Sequence, residues 1–384
     1  MYKRYFDNDS YDLMSDAAYR KSHTAVLNGA RDRLDTLQRL KSWFSTSIKI
    51  NYDEDSPESA SSVFRSRVGS LWGATLLARQ LYQSAGFKAR IVQLHSLNEG
   101  VFDKNYANFN EFREIGLVVS KDSSLYLVLF QRPLQPVNVV PTEFIGQPFV
   151  YIDTDKMERS VETDVRFVSD TSSAFRTVRV NLDEDRFAHV DLSVTFKGDA
   201  AYDERTTLDD LPASELETTL KKRFVPTLAE ASNVKVSVEN LEDPTLPLVL
   251  KASFTLSDAV TVTGGEAIFQ TAGILSPTSE NDAGQDSSDR QFPIEITSPY
   301  RYDRQVEVVY PNTWTLSTSI DESEIHSDLG DLTRTRSISP GSLAVRFSSS
   351  LNAGTYPQRL APELTNVLGD AGTSAIPSLV FKTN

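Results

Sequence analysis

The period of the hydrophobic residues changes partway along the chain, and that change bounds the fold more tightly than any other feature. From Asn28 to Ile48 the apolar residues Leu34, Leu37, Leu40, Trp43 and Phe44 recur at spacings of 3 and 4, one face of an amphipathic helix. A second helical pattern covers Ala60 to Ala85, with a break near Arg67 to Ser70. Its later face carries Leu71, Ala74, Leu77, Ala78 and Leu81, and Gly86 is the natural stop. Short β-prone runs follow, KARIVQLHS, REIGLVVS, LYLVLFQ and FIGQPFVYID. Past about residue 160 the chain switches to strict alternation, as in TVRVNL, AHVDLSVTFKG, NVKVSVENL and LVLKASFTL. The expected fold class is α+β: helices with an antiparallel sheet, then a mostly-β region of one or two β-sandwich domains.

These patterns divide the chain into a lead-in over residues 1–22, an α+β domain over 23–155, a polar link around Asp153 to Ser160, and a β-rich region over 165–384. Within the β-rich region one helix is expected from Ser214 to Leu228, where Ser214 and Glu217 have the spacing of a capping box. The stretch SPTSENDAGQDSSDR, around residues 276–290, is polar and acidic, so it reads as a flexible exposed loop.

Composition removes several kinds of chemistry. The chain has no cysteine, which excludes disulfides, thiolate metal sites and a cysteine nucleophile together. Its formal charge of -14 and the lack of a dense Lys/Arg run make nucleic acid an unsuitable partner. No apolar run has the length of a transmembrane segment, and the opening MYKRYFDNDSYD lacks the apolar core of a signal peptide.

The stretch SPESASSVFRSRVGSLWGATLLARQLYQSAGFKARIVQLHS resembles the core of bacterial transglutaminase-like, papain-like domains. In that family an Arg-x-Gly-x-Cys element opens a buried helix that ends in Gly-x-x-Ala-Arg before a strand. Arg67, Gly69, Gly86, Ala89 and Arg90 stand in the matching places, and the cysteine position falls on Leu71. The family's histidine falls on Glu114, or on Glu111 if Phe109-Asn110 is the true match, and its aspartate falls near Phe130. The later β-rich segments NLEDPTLPLVLKASFTL and RQFPIEI resemble the C-terminal part of envelope-associated members. The resemblance thus implies a papain-like transglutaminase core whose catalytic triad has been lost, and a periplasmic or envelope location.

A triad of this kind needs a thiolate at a helix N-terminus, an imidazole to activate it and a third group to orient the ring. Leu71 is expected to pack inward instead. Ser70 with His95 could form a relocated hydrolase pair, although the plainer reading is that Ser70 caps the helix and His95 ends a strand. His23, His189 and His326 show no metal-ligand spacing and read as surface residues, and no cofactor is expected. Asp282, Asp286 and Asp289 could offer oxygen ligands to calcium, but lack the EF-hand order. The expected function is a non-catalytic protein- or peptide-binding or scaffolding module. Trp72, Glu111 and Glu114 would line a vestigial groove suited to a basic partner, with the strand edges of the β-rich half as the other surface.

Overall fold

The computed structural model describes residues 13–383 except 53–55, 101, 103–110, 154–157, 164–165, 226–230, 272–273, 276–291 and 369–375. It is an α+β protein whose contacts divide it into two compact units, residues 1–170 and 171–384. The acidic stretch 276–290, with Asp282, Asp286 and Asp289, lies outside the described residues.

The first unit opens with α1 (Ala17–Leu27) and α2 (Arg33–Ser47), started by the carboxylates of Asp16 and Asp32 accepting backbone N–H groups. Residues 17–22 therefore belong to a helix of the domain rather than to a lead-in, because Tyr19 is fully buried and anchors them to the core. Along α2, Leu37, Leu40 and Phe44 turn inward as their spacing requires, while Leu34 stays exposed at the helix start. Strand β1 (Lys49–Ile50) pairs in parallel with β2 (Val68–Gly69). Between them lies α3 (Ala60–Ser66), stopped by Arg67 in the left-handed region at φ 61°, and after them comes α4 (Leu71–Ser84). The break in the second helical pattern thus falls where its apolar period lapsed.

A five-stranded sheet completes the unit, built from β3 (Lys88–His95), β4 (Phe112–Lys121), β5 (Ser124–Val128), β6 (Phe149–Asp153) and β7 (Glu158–Glu162), in the order β5-β4-β3-β6-β7. All its pairings are antiparallel. The helices cover one face, where Ile91, Leu117, Val119 and Val128 pack with Leu37, Phe44, Leu77 and Leu81. The segment Val140 to Phe144 packs on the other, against Val92, Leu94 and Val118. The expected polar link does not part the domains at 153–160. Glu158–Glu162 is an edge strand paired with β6, because hydrogen bonding of the backbone outweighs the polarity of ERSVE, and the division falls after Asp170.

The second unit begins with β8 (Ser172–Leu182), β9 (Ala188–Lys197), α5 (Asp199–Asp209), α6 (Ala213–Phe224), β10 (Ala231–Glu239), β11 (Leu248–Leu256), β12 (Val260–Thr263) and β13 (Glu266–Phe269). It continues through β14 (Ile294–Ile296), β15 (Tyr300–Val309), β16 (Trp314–Leu316), β17 (Ser323–Ser327), β18 (Gly330–Ser339), β19 (Ser342–Leu351) and β20 (Gly354–Tyr356). It closes with α7 (Ala361–Leu368) and β21 (Leu379–Thr383). Eight strands form one large sheet in the order β10-β11-β9-β8-β15-β19-β18-β17. Every pairing in it is antiparallel except β8 with β15, which run parallel at its middle. A four-stranded sheet, β12-β13-β21-β16, shares a single apolar core with the large sheet and with α5 and α6, so the sheets pack as layers of one β-rich domain.

Helix α6 starts one residue before the expected capping box. Its N-cap is Pro212, and no side chain caps the first turn, because Ser214 already lies within the helix. Leu220 and Phe224 are buried as their spacing requires, with Leu216 partly so. Among the described residues no helix is long and apolar enough to cross a membrane.

Candidate functional site

The first turn of α4 holds Leu71, the residue that the sequence resemblance sets in the place of a cysteine. Ser70 is the N-cap: its hydroxyl oxygen accepts the Gly73 N–H at 3.1 Å, and its own N–H donates to the Pro57 carbonyl at 2.9 Å. A Cβ on Gly73 would stand 2.6 Å from that carbonyl, so glycine is what lets the 57–58 segment lie against the helix. Arg67 and Gly69 also have structural work. The Arg67 guanidinium lies 4.4 Å from the Phe64 ring centroid and 5.2 Å from that of Trp43, and a Cβ on Gly69 would overlap Val63. Leu71 and Trp72 pack against the α-side core but are only partly buried. The expectation that Leu71 turns inward and is buried is met in part: it packs on the core, but a first-turn residue at the end of the layer has neighbours on one side only.

Topology brings His95 to the same end. Helix α4, 14 residues or ~21 Å long, turns at Gly86 into the 8-residue β3, ~26 Å long. The strand therefore ends level with the helix start. Alternation sends Ala89 and Ile91 to the α-side core, Val92 and Leu94 to the other, and His95 falls in phase with the first pair. Its ring is 1% exposed and sits edge-on to Phe102 and Phe112, with centroids 5.7 and 5.8 Å away. Glu111 Oε2 lies 4.0 Å from Nε2, too far for a hydrogen bond, and neither ring nitrogen is hydrogen-bonded among the described residues.

Glu114 does not face this end. It pairs in register with Leu94, and on β4 the residues Ile115, Leu117 and Val119 take the α-side core while Val118 takes the opposite one. Glu114 belongs to the opposite face. There its carboxylate accepts Nε and Nη2 of Arg132, each at 3.0 Å, while Nη1 of Arg132 donates to Glu143 at 2.7 Å. The same guanidinium covers the Phe144 ring at 4.9 Å. A β-bulge between the pairings of Leu94 and His95 shifts the register here, and one residue of slip exchanges the faces of a strand. Phe130 is buried edge-on to Phe44 at 5.1 Å, and its carbonyl accepts the Ser45 hydroxyl. The sequence grouped Trp72, Glu111 and Glu114 as one groove. The fold keeps Glu111 beside His95 and moves Glu114 to another face.

Several charged residues escaped the sequence reading. Lys41, 1% exposed, donates its Nζ to the Gln135 carbonyl, and burial together with the charge of Arg132 holds its pKa well below the ordinary lysine value. Its place four residues after Leu37, on the apolar face of α2, was the available signal. His23 is buried rather than on the surface, with Nε2 3.2 Å from the Leu81 carbonyl, and burial lowers its pKa. Among the described residues no group of three or more His, Asp or Glu side chains is placed to hold a metal.

No family model matches the chain, and no curated protein matches it either. Among solved structures it is similar to the crystal structure of a "putative protease" from Parabacteroides distasonis, with a TM-score of 0.51 and 11% identity. The match covers 96% of this chain and 56% of that protein, so this chain spans little more than half of its length. That likeness is one of fold.

Proposed function

We propose that this protein is a non-catalytic, transglutaminase-like module that binds or scaffolds a protein or peptide in a bacterial cell-envelope assembly. The observation that carries the reading is the first turn of α4. A leucine occupies the place where acyl transfer would need a thiolate, and the neighbouring serine is engaged as a helix cap. Glu114, on the far face in a bidentate pair with Arg132, activates nothing at that turn. The envelope assignment and the loss of a triad follow from the resemblance of the sequence. Glu111, at the same end as Trp72, favours a partner with lysine or arginine at its contact.

Purified protein should incorporate no amine into glutamine peptides and cleave no peptide. Leu71→Cys alone should not create either activity, because Glu114 lies on the wrong face to serve as its base. Turnover that is abolished by a substitution at Ser70 or His95 would overturn the reading. A second reading, a hydrolase using Ser70 and His95, is favoured by the buried imidazole of His95, whose two nitrogens have no hydrogen-bond partner among the described residues. A serine-reactive fluorophosphonate separates the two: labelling of Ser70 that is lost in His95→Gln supports the hydrolase, and no labelling supports the binding module.

A further inference from the structure

The large sheet of the second unit has one face in the core and one open to solvent, and the open face is hollowed into a trough of about 710 Å³ across β15, β8, β9, β11 and β10. That volume lies within the range of small-ligand sites. The registers order its floor into two rungs. One runs Gln305, Thr177, Ser193, Lys251 and Ser237 across the strands. The next runs Glu307, Arg179, Asp191, Ser253 and Lys235.

The chemistry of the floor excludes several ligand classes. Its side chains are polar, so an apolar helix or an acyl chain would strip them of water without return. Its charges balance once Glu239 beside the lining is counted: Arg179, Lys235 and Lys251 stand against Asp191, Glu307 and that residue. Arg179 lies 3.7 Å from Glu307, and Lys251 2.5 Å from Glu239. A strongly anionic or cationic ligand therefore has no net charge to meet. What the floor offers is a mixture of hydroxyls, an amide, carboxylates and cations, donors and acceptors side by side at strand spacing.

Exposed aromatic rings stand beyond both rungs. Phe175, 42% exposed, lies two residues before Thr177 on the same face of β8. At the other end Phe187, 38% exposed, stacks on His189 with centroids 6.5 Å apart and planes at 26°. His189 shares the face of Asp191 and Ser193, and its Nδ1 lies 3.1 Å from the Thr255 hydroxyl. Phe175 and the rung of His189 are separated along β8 by six residues, or ~20 Å. Large apolar rings left in water at both ends of a neutral, hydroxyl-rich trough match a ligand with polar edges and apolar ring faces.

We propose that this trough binds a neutral, linear oligosaccharide lying along β8 and β9, with sugar rings stacked on Phe175 and on the Phe187–His189 pair and hydroxyls bonded to Asp191, Ser193 and Arg179. The span between the aromatic ends is the reach of an oligosaccharide rather than of a single sugar. The floor sits on paired strands, so the polar groups are held in place before the ligand arrives.

The test is calorimetric titration of the full chain with cellohexaose, maltohexaose, mannohexaose, xylohexaose and chitohexaose, each beside its disaccharide. At least one hexaose should bind, and more tightly than its disaccharide. Phe175→Ala, Phe187→Ala and Asp191→Ala should each weaken that binding by about tenfold with an unchanged melting temperature. Val262→Ala, which trims an exposed residue of β12 in the other sheet, should leave it unchanged. The proposal is overturned if no hexaose binds at about 10 mM, or if binding survives all three trough substitutions. It is equally overturned if the trough instead takes a charged peptide with salt-sensitive affinity.

Discussion

The two largest sheets among the described residues treat their faces differently. In the five-stranded sheet both faces are packed, and β4 is buried without interruption from Ile115 to Val119. In the eight-stranded sheet one face is packed, and β8 alternates buried with partly exposed or exposed residues along its whole length. A sheet with two packed faces has no room to display polar groups, and the helices that cover it bury ionisable residues as well. Lys41 is buried against a carbonyl, Tyr82 donates its hydroxyl to the Leu37 carbonyl, and burial raises the tyrosine pKa while it lowers that of the lysine. The second unit also buries ionisable side chains, Arg205 and Arg304 among them, but its large sheet displays others on an open floor. Both faces of the first unit's sheet are thus unavailable to a ligand, whereas the large sheet of the second presents one face to it.

The sharpest way to break this contrast is to place a carboxylate on each face of each kind of strand. Leu117→Asp and Val118→Asp, on opposite faces of β4, should both cost roughly 3–5 kcal/mol in urea denaturation, because each buries an unpaired charge. On β8 only Val178→Asp should do so, and Thr177→Asp should stay within about 0.5 kcal/mol. A mild Val118→Asp would mean that the five-stranded sheet is open on that face.

The buried amine gives the next effect. Lys41→Met should stabilise the protein near neutral pH by about 1–3 kcal/mol, since an apolar side chain of similar volume avoids the desolvation of the ammonium. The sign of the pH dependence follows from linkage. Between the depressed folded pKa and the ordinary value of 10.5 the unfolded chain holds more protons at this site than the folded one. Stability should therefore rise with pH across that window, and Lys41→Met should flatten the rise. Denaturant midpoints measured at neutral pH and near 10.5 on both proteins check this.

Smaller again is Arg132→Ala, which leaves Glu114 and Glu143 facing each other without their shared cation. Because all three side chains are partly exposed, the expected loss is about 1–2 kcal/mol. Arg132→Lys should recover only part of it, since an ammonium cannot reproduce the forked contact. Lys251→Gln on the open floor breaks a pair that is about half exposed, and its thermal shift should correspond to less than about 0.5 kcal/mol. A larger loss there would place that part of the floor in a packed environment and erase the contrast.

How far the sequence could be read follows the same division. Strict alternation in TVRVNL and LVLKASFTL is legible because one face is wet, and those segments are strands in the structure. Helix α5 was invisible because its inward face carries Arg205 where an aliphatic residue would have marked the period. The Arg205 side chain is fully buried and donates to the carbonyls of Asn240, Asp243 and Leu246, which no spacing rule anticipates. Helix α1 hid in the same way, since Tyr19 and His23 form its inward face and stack at 5.7 Å. At the candidate site the cap at Ser70 was legible from local chemistry, and the strand end at His95 from the β-prone run before it. The separation of Glu111 from Glu114 was not, because a bulge that only the pairing of two strands creates sets Phe112 rather than Arg113 opposite His95.

The parallel pairing of β8 with β15 has a consequence for how the second unit assembles. On one side of that seam β8 to β11 join through antiparallel neighbours nearer in the chain than β8 is to β15, and on the other β15 to β19 do the same. The seam itself unites Ser172–Leu182 with Tyr300–Val309, so it closes a loop that contains α5, α6 and three of the strands of the first half. Local hairpins lose little chain entropy as they form, whereas this closure must wait until both halves offer a surface worth joining. The middle of the sheet, its most protected place once folded, is therefore the part that a newly made chain completes last.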